Sequence, residues 1–380
     1  MPGVGALVFV AKGGPSEVEQ MVAGGQHAAA LDLLDRVLAT GRCETVVVAT
    51  DSPLFADLLR HLPVQIELDQ GEFHFGHRLR ALIEKHRIEK PLYFGGGSAP
   101  LLGQQELESL CDGLLRLDSG VIANNFYSAD FVGFAPAEAI ARVPLPAIDN
   151  DLAFVLSSQA GLPSFPLARS VSTQLDVDTP SDLAVLSVHP AVGPHLGQYL
   201  AALRLDTARL EAAMRCLVDS ESEVLVAGRV SSQVWSCLEA EAACRKRVFS
   251  EERGMRASGR EARREVVSLL GMHLEAVGVT RFFRSLDSLC QAAFLDTRVL
   301  FHHLRLYPSA PDRFHSDLLN AEAIKDPVLR EFTAAAREAP VPVLMGGHSI
   351  VAGGLMALIE AAWARFDPDG ILPRARRPAS

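Results

Sequence analysis

The chain has 380 residues, of which 48% are hydrophobic and 22% charged, the balance of a folded protein with more than one core rather than of a disordered one. Its net charge of −10 is unevenly spread: residues 1–190 hold 12 basic and 23 acidic side chains, and residues 191–380 hold 24 and 23. That asymmetry implies two domains with different tasks, and the acidic first half argues against nucleic acid as a partner.

The N-terminal run GALVFVA (5–11) has no basic residues before it and reads as a β-strand rather than a secretion signal. A glycine-containing loop follows, then a helix over 27–40 that places Leu31, Leu34 and Leu38 on one face and Asp32 away from it, with Gly41 as its stop. TVVVATD (45–51) is β-branched throughout, as in a parallel strand covered on both sides. Ser52-Pro53 opens a helix as cap and first residue. Strands are predicted at 64–69, 91–97 and 121–126, with helices at 77–86 and 104–117 between them. This alternation predicts an α/β fold built on an open, mostly parallel, Rossmann-like sheet.

Two prolines and two glycines in 187–197 mark an expected boundary, giving a domain 1–188, a helix-rich α/β domain 189–370 and a disordered tail 371–380. In the second domain helices are predicted at 198–218, 232–243, 258–277, 280–293 and 322–338, with strands at 223–228 and within 340–349. No apolar run approaches the roughly 20 residues that cross a bilayer, so no membrane partner is expected. The six cysteines form no C-x-x-C pair, which predicts reduced thiols in a cytoplasmic protein.

Two segments of the first domain carry chemistry. LDVDTPSDL (175–183) is an acidic strand end running into a helix, and PLYFGGGSAPLL (91–102) is a strand ending in three glycines. With them, residues 1–188 resemble the nucleotidyltransferase family of glycosyltransferase-A-like fold, nearest in pattern to the molybdopterin and 2-phospholactate guanylyltransferases. The resemblance implies transfer of a nucleotidyl group from a nucleoside triphosphate to a small phosphorylated or hydroxyl acceptor, with Mg²⁺. Lys12 and Asp178 then become candidate catalytic residues, and Asp176 and Asp178 candidate metal ligands. Gly13, Gly14, Gly95, Gly96, Gly97, Ser98, Asn124 and Asn125 become candidate nucleotide contacts. Ser98 stands where the family has an aspartate, and Glu17 and Glu19 add negative charge to the first loop. Thr179 to Asp182 also form a complete helix-start signature. Asp149 and Asp151 either join the acidic site or cap the helix at 151–159.

In the second domain GGHSIVAGG (346–354) lacks both the last glycine and the following histidine of a hydrolase nucleophile elbow. Its glycine turn still suits an anion, and Arg298, Arg313, Gly347, His348 and Ser349 are the candidate anion site. The histidines of 294–317 match no metal-ligand spacing. The basic run 245–260 is interrupted by Glu251 and Glu252, as expected of solvated ion pairs. Two other functions stay open: a transferase fold kept as a ligand-binding or scaffolding module, and a separate activity around Arg298, His315 and His348.

Overall fold

A computed structural model describes residues 3–370; the tail expected at 371–380 lies outside them. The α/β chain divides into two compact units. The first takes the chain up to Gly14, Ala23–Val177 and Gly193–Tyr199; the second takes Pro15–Val22, Asp178–Val192 and the chain from Leu200.

The first unit is built along β1 (Val4–Val10), α1 (Glu17–Ala39), β2 (Cys43–Thr50), α2 (Pro53–Leu58), β3 (Gln65–Leu68), α3 (Phe75–His86) and β4 (Lys90–Gly95). It continues through α4 (Gln104–Arg116), β5 (Gly120–Ala123), β6 (Phe131–Ala135), α5 (Leu152–Ser158), β7 (Ser164–Pro166) and α6 (Val171–Gln174). The seven strands make one sheet, ordered β3-β2-β1-β4-β6-β5-β7. β6 runs antiparallel to both neighbours and the remaining pairs are parallel.

Side-chain alternation explains why the central strands are apolar throughout. Val4, Ala6, Val8 and Val10 enter one core with Leu33, Leu34 and Val37 of α1 and Leu107 and Leu110 of α4. Leu7 and Phe9 enter the other with Phe75 and Leu79 of α3 and Leu152 of α5. Each fully buried leucine or phenylalanine contributes about 1.5–3 kcal/mol, and a strand covered on both faces gains at every position. One buried charge is built into this unit. Lys90, 8% exposed, donates to the carbonyls of Leu114, Leu115 and Leu117, closing the open carbonyl end of α4 with a cation.

The second unit holds α7 (Pro180–Ser187), and α8 (Pro194–Leu203) leads into α9 (Ala208–Leu217), β8 (Glu223–Gly228), α10 (Ser232–Glu241), β9 (Arg245–Ser250), α11 (Leu269–Val277) and α12 (Val279–Arg284). Then follow β10 (Ala292–Asp296), α13 (Thr297–His303), α14 (Ala310–Asp317), α15 (Pro327–Arg337), β11 (Val343–Gly346) and α16 (Gly353–Phe366). Its four strands are all parallel, ordered β11-β10-β8-β9. Leu225, Ala293, Leu295 and Met345 pack on one side against Phe282, Phe301 and Phe332. No helix among the described residues is long and apolar enough to cross a membrane.

Several elements differ from expectation. The first loop is short: α1 begins at Glu17 and runs through Gly24 and Gly25. Ser16 and Glu19 cap it reciprocally, the Ser16 hydroxyl donating to the Glu19 carboxylate over 2.7 Å and accepting from the Glu19 amide. Gly24 is a packing glycine, since a Cβ there would lie 2.5 Å from the Tyr199 hydroxyl. Asp32 is buried and receives the amides of His195 and Leu196 at the start of α8. Residues 175–178 form no named strand; Asp176 makes an isolated bridge with Ser98. The helix expected over 198–218 is two, α8 and α9, and those expected over 258–277 and 280–293 give way to turns, α11, α12 and the start of β10. Strands β6, β7, β9 and β10 were not foreseen, each being short or, in β9, charged.

Candidate functional site

In the first unit the order β2-β1-β4 makes β1 and β4 the place where the connections change direction. Ligands of open α/β sheets bind beyond the carboxyl ends of such a pair. Residues 11–14 leave β1 here and Gly95–Ser98 leave β4. Gly13 has φ 79°, which only glycine adopts freely. The Lys12 amide donates to Asp51 at 2.7 Å and its ammonium lies 3.6 Å from the same carboxylate, with the Lys12 side chain 65% exposed. Asp51, just past β2, thus takes the first donor of the loop. His27 stacks on Phe55 at 4.6 Å and bonds the Ala11 carbonyl at 3.0 Å, fixing the loop's start; burial lowers its pKa and favours the neutral ring.

The three glycines of β4's end have different reasons. A Cβ on Gly96 would lie 3.0 Å from the Phe9 carbonyl, and one on Gly97 would lie 2.7 Å from the Val177 carbonyl. Both are places where backbone meets backbone. Val177 in turn donates to the Gly97 carbonyl at 2.9 Å and accepts from Gln26 at 2.7 Å. Gly95 has only ordinary contacts, to Asp130, Asp149 and Tyr93. The buried Ser98 hydroxyl donates to the Gly95 carbonyl at 2.7 Å. The turn after β4 therefore packs on the end of β1 and on the segment ending at Val177, with Asp176 bridged to Ser98. The division between units falls before Asp178, so the two aspartates expected as one metal pair belong to different units.

Asn124 follows β5 and is buried. Its amide nitrogen donates to Asp130 at 2.7 Å and to the Thr173 carbonyl at 3.0 Å, while its oxygen accepts from the amides of Asp130 and Phe131. Those bonds organise the turn into β6. Asn125 makes a local turn, its side chain accepting from the Tyr127 amide. Both line a cavity of about 370 Å³ walled also by Tyr127, Phe154 and the exposed Arg169. Asp149 precedes α5 and accepts from the buried Tyr93 hydroxyl at 2.7 Å, a pairing no local signal announces. Burial, then the Asp149 charge, push the Tyr93 pKa well up.

The second unit gathers charge at its strand ends. Asp296, at the end of β10, is fully buried and receives Arg229 Nε at 2.6 Å, Nη2 at 3.1 Å and the Arg229 amide at 3.3 Å. Burial by itself would raise the Asp296 carboxyl, but Arg229 outweighs it and holds the pKa below the ordinary value. Gly228 makes this approach possible: its φ is +129° and a Cβ there would lie 2.3 Å from Asp296 Cβ. Arg298 pairs with the buried Asp317 through two bonds of 2.8 and 2.6 Å. Arg313 donates to the Pro308 carbonyl at 2.9 Å. His348 bonds the Arg229 carbonyl at 3.2 Å, and surrounding protein, then the Arg229 charge, bring it down to about 4 even though part of its ring meets solvent.

Asp182 caps α7 as the sequence signature predicts, accepting from the amides of Asp178 and Thr179 and from the Thr179 hydroxyl. Burial, then the Asp178 charge, push its pKa up to about 6. The Ser349 hydroxyl lies against the Asp182 carboxyl and works against the upward push of burial. The basic run 245–260 forms ion pairs such as Arg247 with Glu223 and Arg260 with the buried Glu252 side chain. Arg229 escaped the sequence reading of the site, since it lies in no recognisable motif. Among the described residues no group of three or more His, Cys, Asp or Glu side chains is placed to hold a metal ion.

No family model matches the chain, and no curated protein does. Solved structures to which it is similar include a protein described as a nucleotide-diphospho-sugar transferase from Desulfovibrio desulfuricans G20, at 17% identity and TM-score 0.39, covering 53% of this chain and 97% of that one. A cytidylyltransferase from Leptospira borgpetersenii serovar Hardjo-bovis is 14% identical at TM-score 0.39, covering 54% and 94%. A 4-diphosphocytidyl-2C-methyl-D-erythritol synthase from Anaerococcus prevotii DSM 20548 is 12% identical at TM-score 0.36, covering 53% and 99%.

Proposed function

We propose that this chain is a nucleotidyltransferase-like protein whose first unit takes a nucleoside triphosphate at the carboxyl ends of β1 and β4. The observation that carries the reading is the packing of the Gly95–Ser98 turn against the end of β1, with Ser98 bridged to Asp176, at a topological switch point. In the reaction an acceptor oxygen bonds to the α-phosphorus, the α–β bridging bond breaks, and its electron pair leaves with pyrophosphate. The loop after β1 and the Lys12 ammonium would offset phosphate charge. Lys12 must then exchange Asp51 for phosphate, at little cost because exposed pairs contribute about 0–1 kcal/mol.

A Mg²⁺ carried by nucleotide needs only one or two carboxylates, which Asp176 can supply; when bound it neutralises phosphate oxygens. Asp178 is the candidate catalytic carboxylate. The cavity beside Asn125, with Tyr127, Phe154 and Arg169, is of a size for a small acceptor. All six cysteines are free thiols, which supports a reducing, cytoplasmic setting.

A second reading, a nucleotide-binding module without transfer, is favoured by the Asp51 carboxylate on the Lys12 amide and by the Ser98 hydroxyl turned onto Gly95. Thermal shift with each nucleoside triphosphate, guanosine triphosphate first, is run with and without Mg²⁺. The transfer reading expects a Mg²⁺-dependent rise in melting temperature, reduced in Asp176→Asn and Lys12→Ala, and pyrophosphate release with acceptor that is lost in Asp178→Asn. Binding without release selects the module. No shift with any nucleotide sinks both.

A further inference from the structure

The cavity of about 370 Å³ lies beside the ends of β5 and β7, the parallel pair at the β7 edge of the first sheet. Asn124 and Asn125 follow β5, Ser164 belongs to β7 and Arg169 follows it, and Phe154 and Ser157 come from α5. All of them belong to the first unit. The wall is tied to the turn after β4. Asn124 bonds Asp130 at 2.7 Å, and the Asp130 carbonyl accepts from the Gly95 amide at 3.0 Å.

The polar groups that remain open in this cavity can all donate. Asn124 is spent inside the fold, and the Asn125 oxygen accepts from the Tyr127 amide, which leaves the Asn125 amide hydrogens to donate. The hydroxyls of Ser157 and Ser164 and the Arg169 guanidinium make no hydrogen bond or ion pair among the described residues. Among the described residues that line the cavity, Arg169 is the one charged side chain, and no carboxylate competes for it. Asp130 is not a lining residue and is engaged by Asn124.

The apolar side is equally open. Tyr127 and Phe154 are 71% and 45% exposed, with ring centroids 5.9 Å apart and planes inclined by 35°. Rings so placed form one wall rather than a slot, and an exposed aromatic wall marks a surface that a ligand covers. The charge decides the ligand's other end. A single guanidinium fork matches a carboxylate in charge and in geometry, whereas a phosphate monoester brings roughly two negative charges and would be left half neutralised.

We propose that this cavity binds a small aromatic carboxylic acid, its carboxylate on the Arg169 fork and its ring against Tyr127 and Phe154. That such an acid is the acceptor of the transfer rests on the transferase reading above; its binding does not.

The test is a ligand-observed NMR titration of the full chain, without nucleotide, using 4-hydroxybenzoate, phenol, acetate and phenyl phosphate. 4-Hydroxybenzoate should bind saturably and more tightly than the other three, which lack the acid, the ring or the single charge. Arg169→Gln should weaken 4-hydroxybenzoate about tenfold and leave phenol unchanged. Arg169→Lys, which keeps the charge but not the fork, should recover part of the loss. Phe154→Ala should weaken 4-hydroxybenzoate and phenol alike. Both substituted side chains are exposed, and an unchanged melting temperature checks that each variant is folded. No saturation by 4-hydroxybenzoate, equal affinity for phenol, tighter binding of phenyl phosphate, or equal affinity in wild type and Arg169→Gln overturns the proposal. Any of these results leaves nucleotide binding untouched, while failure of the thermal-shift series removes the acceptor role alone.

Discussion

In the first unit the loops beyond the strands are positioned by backbone packed on backbone, Gly96 on Phe9 and Gly97 on Val177, with an exposed Lys12–Asp51 pair at the surface. In the second the corresponding edge is held by buried guanidinium–carboxylate forks, with Asp296 and Asp317 almost inaccessible to solvent. The two arrangements pay different desolvation costs for the same task. Glycine packing leaves few charges to satisfy and little for a ligand to displace, whereas buried ion pairs fix side chains at the cost of stripping water from them.

The largest effect should come from removing one partner of a buried pair. Asp296→Ala leaves Arg229 uncompensated and should cost about 3–5 kcal/mol, read as a lowered urea midpoint of the second unit's transition. A loss below about 1 kcal/mol would place this pair with the surface pairs and erase the contrast. Next is Gly97→Ala, whose methyl would meet a backbone carbonyl at 2.7 Å. Overpacking of this kind costs about 1–3 kcal/mol, and unchanged thermal stability would mean the turn relaxes easily.

A third test sharpens the second unit's side through pH. The folded-state pKa of Asp182 is about 6 against an ordinary 3.8, so the folded chain keeps a proton that the unfolded chain has released. Stability from this group is present at low pH, declines as pH rises from about 4 to about 6, and is level above that. The advantage of wild type over Asp182→Asn should shrink across the same window; parallel stability curves would remove Asp182 as its source. The smallest effect is at Lys12. With that side chain 65% exposed, Lys12→Ala should change stability by less than about 1 kcal/mol, whatever it does to nucleotide affinity.

Sequence carried the parts of this fold whose cause is local. Val4–Val10 and Cys43–Thr50 are legible because a strand buried on both faces must be apolar at every step. The caps at Ser52 and at Thr179 with Asp182 are legible because a cap is a short-range bond. Parts with distant causes were not. Gly24 looks like a loop glycine until Tyr199 is seen against it, and Asp32 looks like a surface acid until α8 arrives to be capped. β10 hides in an alanine-containing run, and its Asp296 has a partner 67 residues earlier. At the candidate sites the residue types were visible and their pairings were not: Arg298 and Asp317 were both noted, but nothing in their spacing joined them.

Lys90 gives the first unit an internal clock. Its amine is spent on three carbonyls at the end of α4 and can meet an amine-reactive reagent only when that helix end lets go. An exposed lysine such as Lys12 would be labelled at once. The late appearance of label on Lys90 would therefore count openings of the helix end directly, one covalent mark for each chain that has come apart there.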